Sequence, residues 1–540
     1  MDLKNKSQKT KIQQFYEGKV VLLTGGTGFL GKVLIEKLLR SCPNIAQLYL
    51  LVREKNSQSS EDRLKVLLED PIFSRLKREN PRFAEKLSVV HGELHEPMLG
   101  LSESHITLLS QSVDVVLHSA ASVRFNEHLS DAIITNVYGT KQLCLLAQNM
   151  VKLKALVYVS TAFSNCDSSI IPEEICPSSI CPDILIVLSE LLDKRLLDDI
   201  TPRFVEYVHF LQRGQSKFFI VLPVLLTCLI LYSLLGSKPN TYIYTKNAAE
   251  VVIKRFRTTL PVAILRPSIV VAALSEPFPG WLDNVQGANY VVASFSTGLL
   301  RSFLSNQYAV ANLVPVDYTA NAILALAFSV ATQQWQTPQD EEIPVVNFVP
   351  TKNNTMTWCD FTEKLVKYVR MYPSTNLMWY PFLCQPQSVC VASVQNMLLH
   401  HLPAKVIDFL SKQCGHSTRL QHIYNRLDKY SDVVRYFSCQ HFQFQEDNQK
   451  LLWESLEPRD QLEFPFNMTE ISWEIVMAEY VRGCREYYLR EQPTSVVRGR
   501  QRLRRLYFIH LLTNTSLLLA SANIIWFMCG CLGQLARKWV

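Results

Sequence analysis

The sequence predicts an α/β fold, a doubly wound parallel sheet followed by a mainly helical C-terminal region and a C-terminal transmembrane helix. Three observations carry that expectation: short Val/Leu/Tyr-rich runs that alternate with longer helical stretches, a glycine-rich turn after the first run, and an uncharged apolar run near the C-terminus. Strands alternating with helices imply a parallel sheet. The first element, "KVVLLTGGTGFLGKVLIEKLLR" (19–40), reads as buried strand, tight turn and helix, which makes the sheet Rossmann-like. "QLYLLVR" (47–53), "KLSVVHGEL" (86–94), "VDVVLHSAA" (113–121) and "ALVYVSTAF" (155–163) follow, separated by helical stretches such as 59–78 and 131–150. "LPVAILRPSIV" (260–270) continues the series, and "EPFPGWLDN" (276–284) marks irregular chain.

From about residue 360 the alternation stops, and 418–490 carry amphipathic helical patterns such as "ISWEIVMAEYVRGCREYYLRE" (471–491). Three regions are expected: a dinucleotide-binding region with its substrate-binding part (15–360), a helical region (361–495), and a basic flank with a membrane anchor (496–540). Residues 374–411 are apolar but interrupted by Pro381, Gln385, Pro386, His400, His401 and Pro403, and read as interfacial or buried helices and not as a full span. Tyr507 to Cys531 is the better span, uncharged apart from protonation of His510 and preceded by the arginines of "RGRQRLRR" (498–505). A buried amphipathic helix is its alternative.

Composition narrows the class. The 540 residues are 48% hydrophobic and 19% charged, which excludes general disorder. The net charge of +7 is spread over a large chain, and the basic cluster at 498–505 borders the apolar run as a membrane flank, so no nucleic-acid partner is expected. No apolar run precedes "VVLLTGG", so no secretory signal is expected and the catalytic region is placed in the cytosol. The 14 cysteines are scattered without Cys-x-x-Cys spacing, so reduced thiols and no metal site are expected.

The chemistry-bearing residues lie at the ends of the expected strands. In "TGGTGFLG", Thr24, Gly25, Gly28, Phe29, Leu30 and Gly31 form a turn that opens a helix. Glycine lets a pyrophosphate approach the backbone, and a helix N-terminus favours its charge. Ala120 at the end of the fourth strand joins this cofactor set. The second strand runs into Arg53 where an NAD-preferring fold places a carboxylate, and a guanidinium suits a 2′-phosphate, which favours NADPH.

Tyr242 and Lys246 are four residues apart and share one helix face; Tyr244 points elsewhere. An ammonium beside a phenol lowers the cost of ionising it, so the tyrosine can exchange a proton near neutral pH. The hydroxyl of Thr161 or Ser160, in "VSTAF", is placed to bind the same substrate oxygen. Asn136 in "TNVYGT" is a candidate for positioning the lysine, with a plain helix-face role as its alternative. His118 and Arg124 sit at and beyond the fourth strand, and the histidine reads as structural.

"TGGTGFLG", "HSAASV", "TNVYGTK", "VSTAF" and "YIYTK" together resemble the extended short-chain dehydrogenase/reductases. "LYLLVREK", "EPFPGWLDNVQG", "NLVPVDYTANA", "FQFQEDNQKLLWESLEPRDQLEFPFNM" and "SWEIVMAEYVRGCREYYLRE" narrow the likeness to the alcohol-forming fatty acyl-CoA reductases, over about residues 15–500. The resemblance implies NADPH at Gly25, Gly28 and Gly31, and reduction served by Tyr242 and Lys246. It also implies a long-chain acyl-CoA substrate reduced through an aldehyde to a primary alcohol without a cysteine nucleophile, and a membrane-lipid setting on the endoplasmic reticulum or peroxisome. The alternatives are another extended reductase acting on a sterol or nucleotide-sugar, or a catalytically silent NADP-binding membrane protein. Oligomeric state is left open.

One segment interrupts the likeness. Residues 204–236 have no counterpart, and within them Phe218 to Leu235 is an uncharged, mostly apolar run of membrane-span length. A single crossing there would separate Thr161 from Tyr242 by a bilayer, leaving a re-entrant or interfacial loop, a buried insert, or translated intron sequence. The last is preferred because the segment splits otherwise contiguous motifs. Joining Arg203 to Ser237 is expected to preserve fold and chemistry.

Overall fold

The computed structural model describes residues 9–538 except Asn56, Asn126, Asp193, residues 195–237, Val285, residues 335–341, His416 and Ser417. The apolar stretch 204–236 therefore lies outside the described residues.

Seven strands form one fully parallel sheet: β1 (Val20–Thr24), β2 (Gln47–Val52), β3 (Leu87–His91), β4 (Val115–His118), β5 (Ala155–Val159), β6 (Val262–Pro267) and, later in the chain, β9 (Val345–Phe348). β7 (Ile269–Val271) and β8 (Leu313–Pro315) pair separately, also in parallel. The order is β3-β2-β1-β4-β5-β6-β9, so the chain winds outward from β1 in one direction and returns to wind the other way from β4. This is the doubly wound α/β fold expected from the sequence. The central strands read as continuous apolar runs because helices cover both faces; every residue of β4, β5 and β6 is buried. Register aligns Thr24 with His118 and Val159 with Leu265, so the C-terminal ends of β1, β4, β5 and β6 lie side by side. The reversal of winding between β1 and β4 opens the crevice in which such sheets bind ligands.

Chain contacts define two units. The first comprises the described residues up to Asp283 together with Tyr308–Thr357 and Asp432–Val476; the second comprises Asn284–Gln307, Trp358–Ser431 and Met477 onward. In the first unit, the 432–476 segment finishes the sheet. Asn448 Nδ2 donates to Val345 O (2.8 Å), Gln449 Oε1 accepts from Val349 N (2.8 Å) and Gln449 Nε2 donates to Val349 O (3.1 Å). The Glu173 carboxylate accepts from the backbone of Asn347 and Asn448, and its burial pushes its pKa up to about 8. These side chains satisfy the outer edge of β9, where unpaired backbone groups otherwise invite another strand.

The second unit is helical. The helical stretch Pro493–Cys529, most of it in the last helix, Val496–Lys538, is long and apolar enough to cross a membrane, and its apolar window is not buried by the protein.

Candidate active site

The glycine turn begins where β1 ends. Gly25 has φ +78°, and a Cβ on it would lie 2.7 Å from Ala120 N. A Cβ on Gly31 would lie 2.1 Å from the Gly25 carbonyl oxygen. The turn can therefore be built only without side chains, which leaves its backbone open to a ligand. Gly28 caps the helix Phe29–Ser41, and the first intrahelical bond runs from Lys32 N to Gly28 O, so the amides of Phe29, Leu30 and Gly31 have no intrahelical acceptor. That cradle fits a pyrophosphate by both charge and space. Thr24 locks it to the neighbouring strand: its Oγ1 is 2.7 Å from His118 Nδ1 and accepts from Ala120 N at 3.2 Å. Burial, followed by the Lys246 charge, lowers the His118 pKa to about 3, so this ring is a neutral structural link. Arg124 is exposed and lies near Glu127.

Arg53 follows β2 directly. It is half exposed, and its Nη1 donates to Glu93 Oε1 at 2.8 Å. Arg63 donates through Nη1 to the Arg53 carbonyl (2.6 Å) and through Nη2 to Thr27 Oγ1 in the glycine turn (3.3 Å). Burial and the adjacent Arg53 charge depress the Arg63 pKa, the signature of two guanidiniums held close together. Arg63 escaped the sequence reading because nothing in its spacing distinguishes it from a solvated helix cation.

The helix Thr241–Arg255 carries the tyrosine and lysine. Asn240 caps it, accepting from Ile243 N at 2.9 Å, and Lys254 and Arg255 complement the dipole in its last turn. Most of the helix is buried, which fixes its rotation. Tyr244 packs with Leu129, Ile133 and Leu185, on a different side from Tyr242. Burial raises the Tyr242 pKa, the nearby Thr161 hydroxyl opposes that shift, and the Glu250 charge reinforces it. The phenol is therefore protonated at neutral pH. Lys246 is buried and donates to Val159 O (2.8 Å) and Tyr158 OH (3.2 Å), with its ammonium 4.6 Å from the Tyr158 ring centre. Burial lowers its pKa to about 7 while Glu250 holds it up.

Thr161 and Ser160 serve different neighbours. Thr161 lies by Tyr242, its Oγ1 accepting from Phe163 N at 3.3 Å, whereas Ser160 Oγ donates to Glu250 Oε1 at 2.5 Å. Glu250 forms a two-point ion pair with Arg266 (2.9 and 2.6 Å), both side chains fully buried. Arg266 also donates to the carbonyls of Pro172 and Glu174, each at 2.8 Å. Tyr242, Lys246 and Glu250 fall at successive i+4 positions, so Glu250 was readable as an extension of the same stripe.

Asn136 sits in a π-helical turn, Ile133–Tyr138, a widened geometry frequent at functional sites. Its amide accepts from Ser122 N (2.8 Å) and donates to Ser122 O (3.2 Å) and Thr245 Oγ1 (3.0 Å). It thereby ties the loop after β4 to the helix of Tyr242 and Lys246, without a bond to the lysine itself. One flank of Tyr242 is aromatic: Phe125 lies 5.5 Å from its ring, and Phe437 lies 5.6 Å from Phe125 and 5.0 Å from Phe163.

A dinucleotide cradle at the strand-order reversal, with a tyrosine and lysine on one helix beside the end of β5, defines a reductase of the extended short-chain dehydrogenase/reductase class. Residues 23–323 match a family of NAD-binding domains described as "Male sterility protein", and residues 399–491 match the "Sterile" family of the same description. The chain is 35% identical to "Fatty acyl-CoA reductase wat" of Drosophila melanogaster, covering 95% of this chain and 92% of that one. It is 34% identical to "Fatty acyl-CoA reductase 1" of Mus musculus, over 98% and 95% of the two chains. In fold it resembles the reductase (R) domain of a nonribosomal peptide synthetase from Mycobacterium tuberculosis, with TM-score 0.53 and 19% identity, covering 87% of this chain and 92% of that one. The chain belongs to the fatty acyl-CoA reductase family and is an oxidoreductase with an NAD(P)-binding domain.

Proposed function

We propose that this chain reduces long-chain fatty acyl-CoA to the primary alcohol through an aldehyde, with NADPH as donor. The observation that carries the proposal is the hydrogen bond between Tyr242 and Thr161 just past the end of β5, with Lys246 one turn along the same helix and bonded to Val159 O and Tyr158 OH, in a chain similar over nearly its whole length to fatty acyl-CoA reductases. The nicotinamide, when bound, supplies hydride to the carbonyl carbon. Thr161 and Tyr242 hold the carbonyl oxygen, and Tyr242, protonated at neutral pH, gives it a proton as negative charge develops. Lys246 in its charged form offsets the phenolate left behind. The aromatic flank formed by Phe125, Phe163 and Phe437 offers apolar surface beside the reacting carbon, as an acyl chain requires. Incubating the purified chain with NADPH and a series of acyl-CoAs should yield primary alcohol and free CoA; NADPH binding without turnover of any acyl-CoA would refute the proposal.

NADPH preference rests on Arg53, with Arg63 beside it. Arg53→Ala should raise the KM for NADPH about tenfold, the loss of one charge-assisted contact, and leave that for NADH within about twofold. Equal effects on the two cofactors would remove Arg53 from the 2′-phosphate site.

The exposed apolar stretch of Val496–Lys538 is the anchor, with the arginines of 498–505 holding its N-terminal flank on the cytosolic side. The full chain should resist carbonate extraction from membranes, and removal of residues 506–540 should make it extractable. Persistence after that truncation would place the anchor elsewhere.

A further inference from the structure

The second unit exposes another apolar surface. Helical residues Val389–Asn396, Met397–His401 and Leu402–Gln413 follow one another without a break. Val394, Leu398, Leu402, Val406, Phe409 and Leu410 project from this run, each 49–62% exposed. Exposed apolar side chains at spacings of three and four residues form a continuous stripe, which a soluble surface does not ordinarily leave bare.

Contacts inside the unit connect this run to the start of the apolar span. Arg301 Nη1 donates to Leu399 O (2.6 Å), and the Arg301 guanidinium lies 5.6 Å from the Trp379 ring centre. Trp379 Nε1 donates to His510 Nδ1 at 3.1 Å, one turn into the span. Tyr380 and Phe382 stack on His510 (5.4 and 5.2 Å), and Tyr380 meets Tyr507 at 5.3 Å. A collar of Trp, Tyr and Phe at the mouth of an apolar helix is the pattern of a membrane–water interface. On the preceding turns, Arg498, Arg502 and Arg505 share one helix face and line a cavity of about 720 Å³ with Arg490, Thr375, Asn376 and Glu491, whose carboxylate is taken up by Arg485, Ser374 and Thr375. Arg498 and Arg505 have no ion pair among the described residues, and guanidiniums so placed match phosphate oxygens.

We infer that the 389–413 run is a second membrane contact, lying in the plane of the leaflet that the span enters, and that this leaflet is recognised through anionic phospholipid headgroups in the arginine cavity. The inference rests on the anchoring reading of the C-terminal helix. It adds an amphipathic surface element of the kind that beds its apolar face at the headgroup boundary.

The test uses the full chain reconstituted in vesicles of phosphatidylcholine, with and without phosphatidylserine, each carrying a trace of phospholipid with a photoactivatable group near the glycerol. Peptide mapping should find lipid adducts on 389–413 as well as on the span, with the yield on 389–413 several-fold higher when phosphatidylserine is present. Leu398→Glu with Phe409→Glu should abolish adducts on that run and spare those on the span. Arg498→Gln with Arg505→Gln should remove that several-fold phosphatidylserine preference, returning the yield to its level in phosphatidylcholine alone. Adducts on the span alone overturn the inference while preserving the anchor; absence of adducts from both overturns the anchoring reading as well. Protection of 389–413 by a second copy of the chain, seen as a dimer with protein–protein crosslinks through these residues, also overturns it. So does suppression of the serine-lipid preference by millimolar inorganic phosphate with equal affinity for the cavity, which would assign the arginines to a free anion.

Discussion

Tyr242→Phe is expected to lower kcat by 10²–10⁴ while leaving NADPH binding within about twofold, the range lost with a positioned proton donor. The ring stays, with its Phe125 contact 5.5 Å away, so folding and the apolar flank are preserved and only the proton is removed. Tyr244→Phe should be nearly silent, because that ring packs with Leu129 and Ile133 in another cluster. Inactivity of the Tyr244 variant with activity of the Tyr242 variant would reverse the assignment. The pH profile provides a separate check. Lys246 has its pKa lowered by burial to about 7, so its charged form dominates below that pH and is lost above it. Because kcat/KM reports the free enzyme, it should be flat below about pH 7 and fall roughly tenfold per unit above. A profile flat to pH 9 would show that the ammonium is not required.

Glu250→Gln is expected to destabilise the sheet unit by about 3–5 kcal/mol, the cost of leaving one member of a fully buried ion pair uncompensated. The substitution is isosteric, so a lowered urea midpoint would measure lost charge and not lost volume. It should also move the alkaline limb of kcat/KM to lower pH, because Glu250 is the charge that holds the Lys246 pKa up against burial. A loss below about 1 kcal/mol together with an unmoved limb would show that the pair neither supports the fold nor tunes the lysine. Moved together, the two readouts would show one carboxylate serving Arg266 in the core and Lys246 at the reaction centre.

What was legible in the sequence followed from periodicity and local chemistry. Buried parallel strands are uninterrupted apolar runs, so β1 to β6 stand out, and the glycine turn announces itself because no side chain fits there. β9 follows a proline and carries Asn347 among its four residues, so no uninterrupted apolar run marks it. At the site, i+4 spacing joined Tyr242 to Lys246 but left Ser160 and Thr161 equivalent. Adjacent residues leaving a strand point different ways, and which one meets the substrate depends on the neighbouring helix. In the structure the Glu250–Arg266 pair takes the Ser160 hydroxyl, and Thr161 is the one beside Tyr242. Arg63 and the aromatic residues of 437–444 reach the site region through tertiary folding alone, which no local spacing records.

The return of residues 432–476 to the sheet has a consequence for how the protein is made. Phe163 leaves the ribosome some 270 residues before Phe437, which will cover it, and the rim of β9 waits for Asn448 and Gln449. At roughly 5–20 residues per second, translation leaves the Phe163 surface bare for about 15–60 s. Strands β1 to β6 can assemble in that interval, but the nascent reductase keeps a sticky flank until shortly before the span at 507 is synthesised. Completion of the catalytic unit and emergence of the long apolar helix are thus nearly simultaneous events, and a chaperone bound during elongation would be shielding the Phe163 flank and the rim of β9.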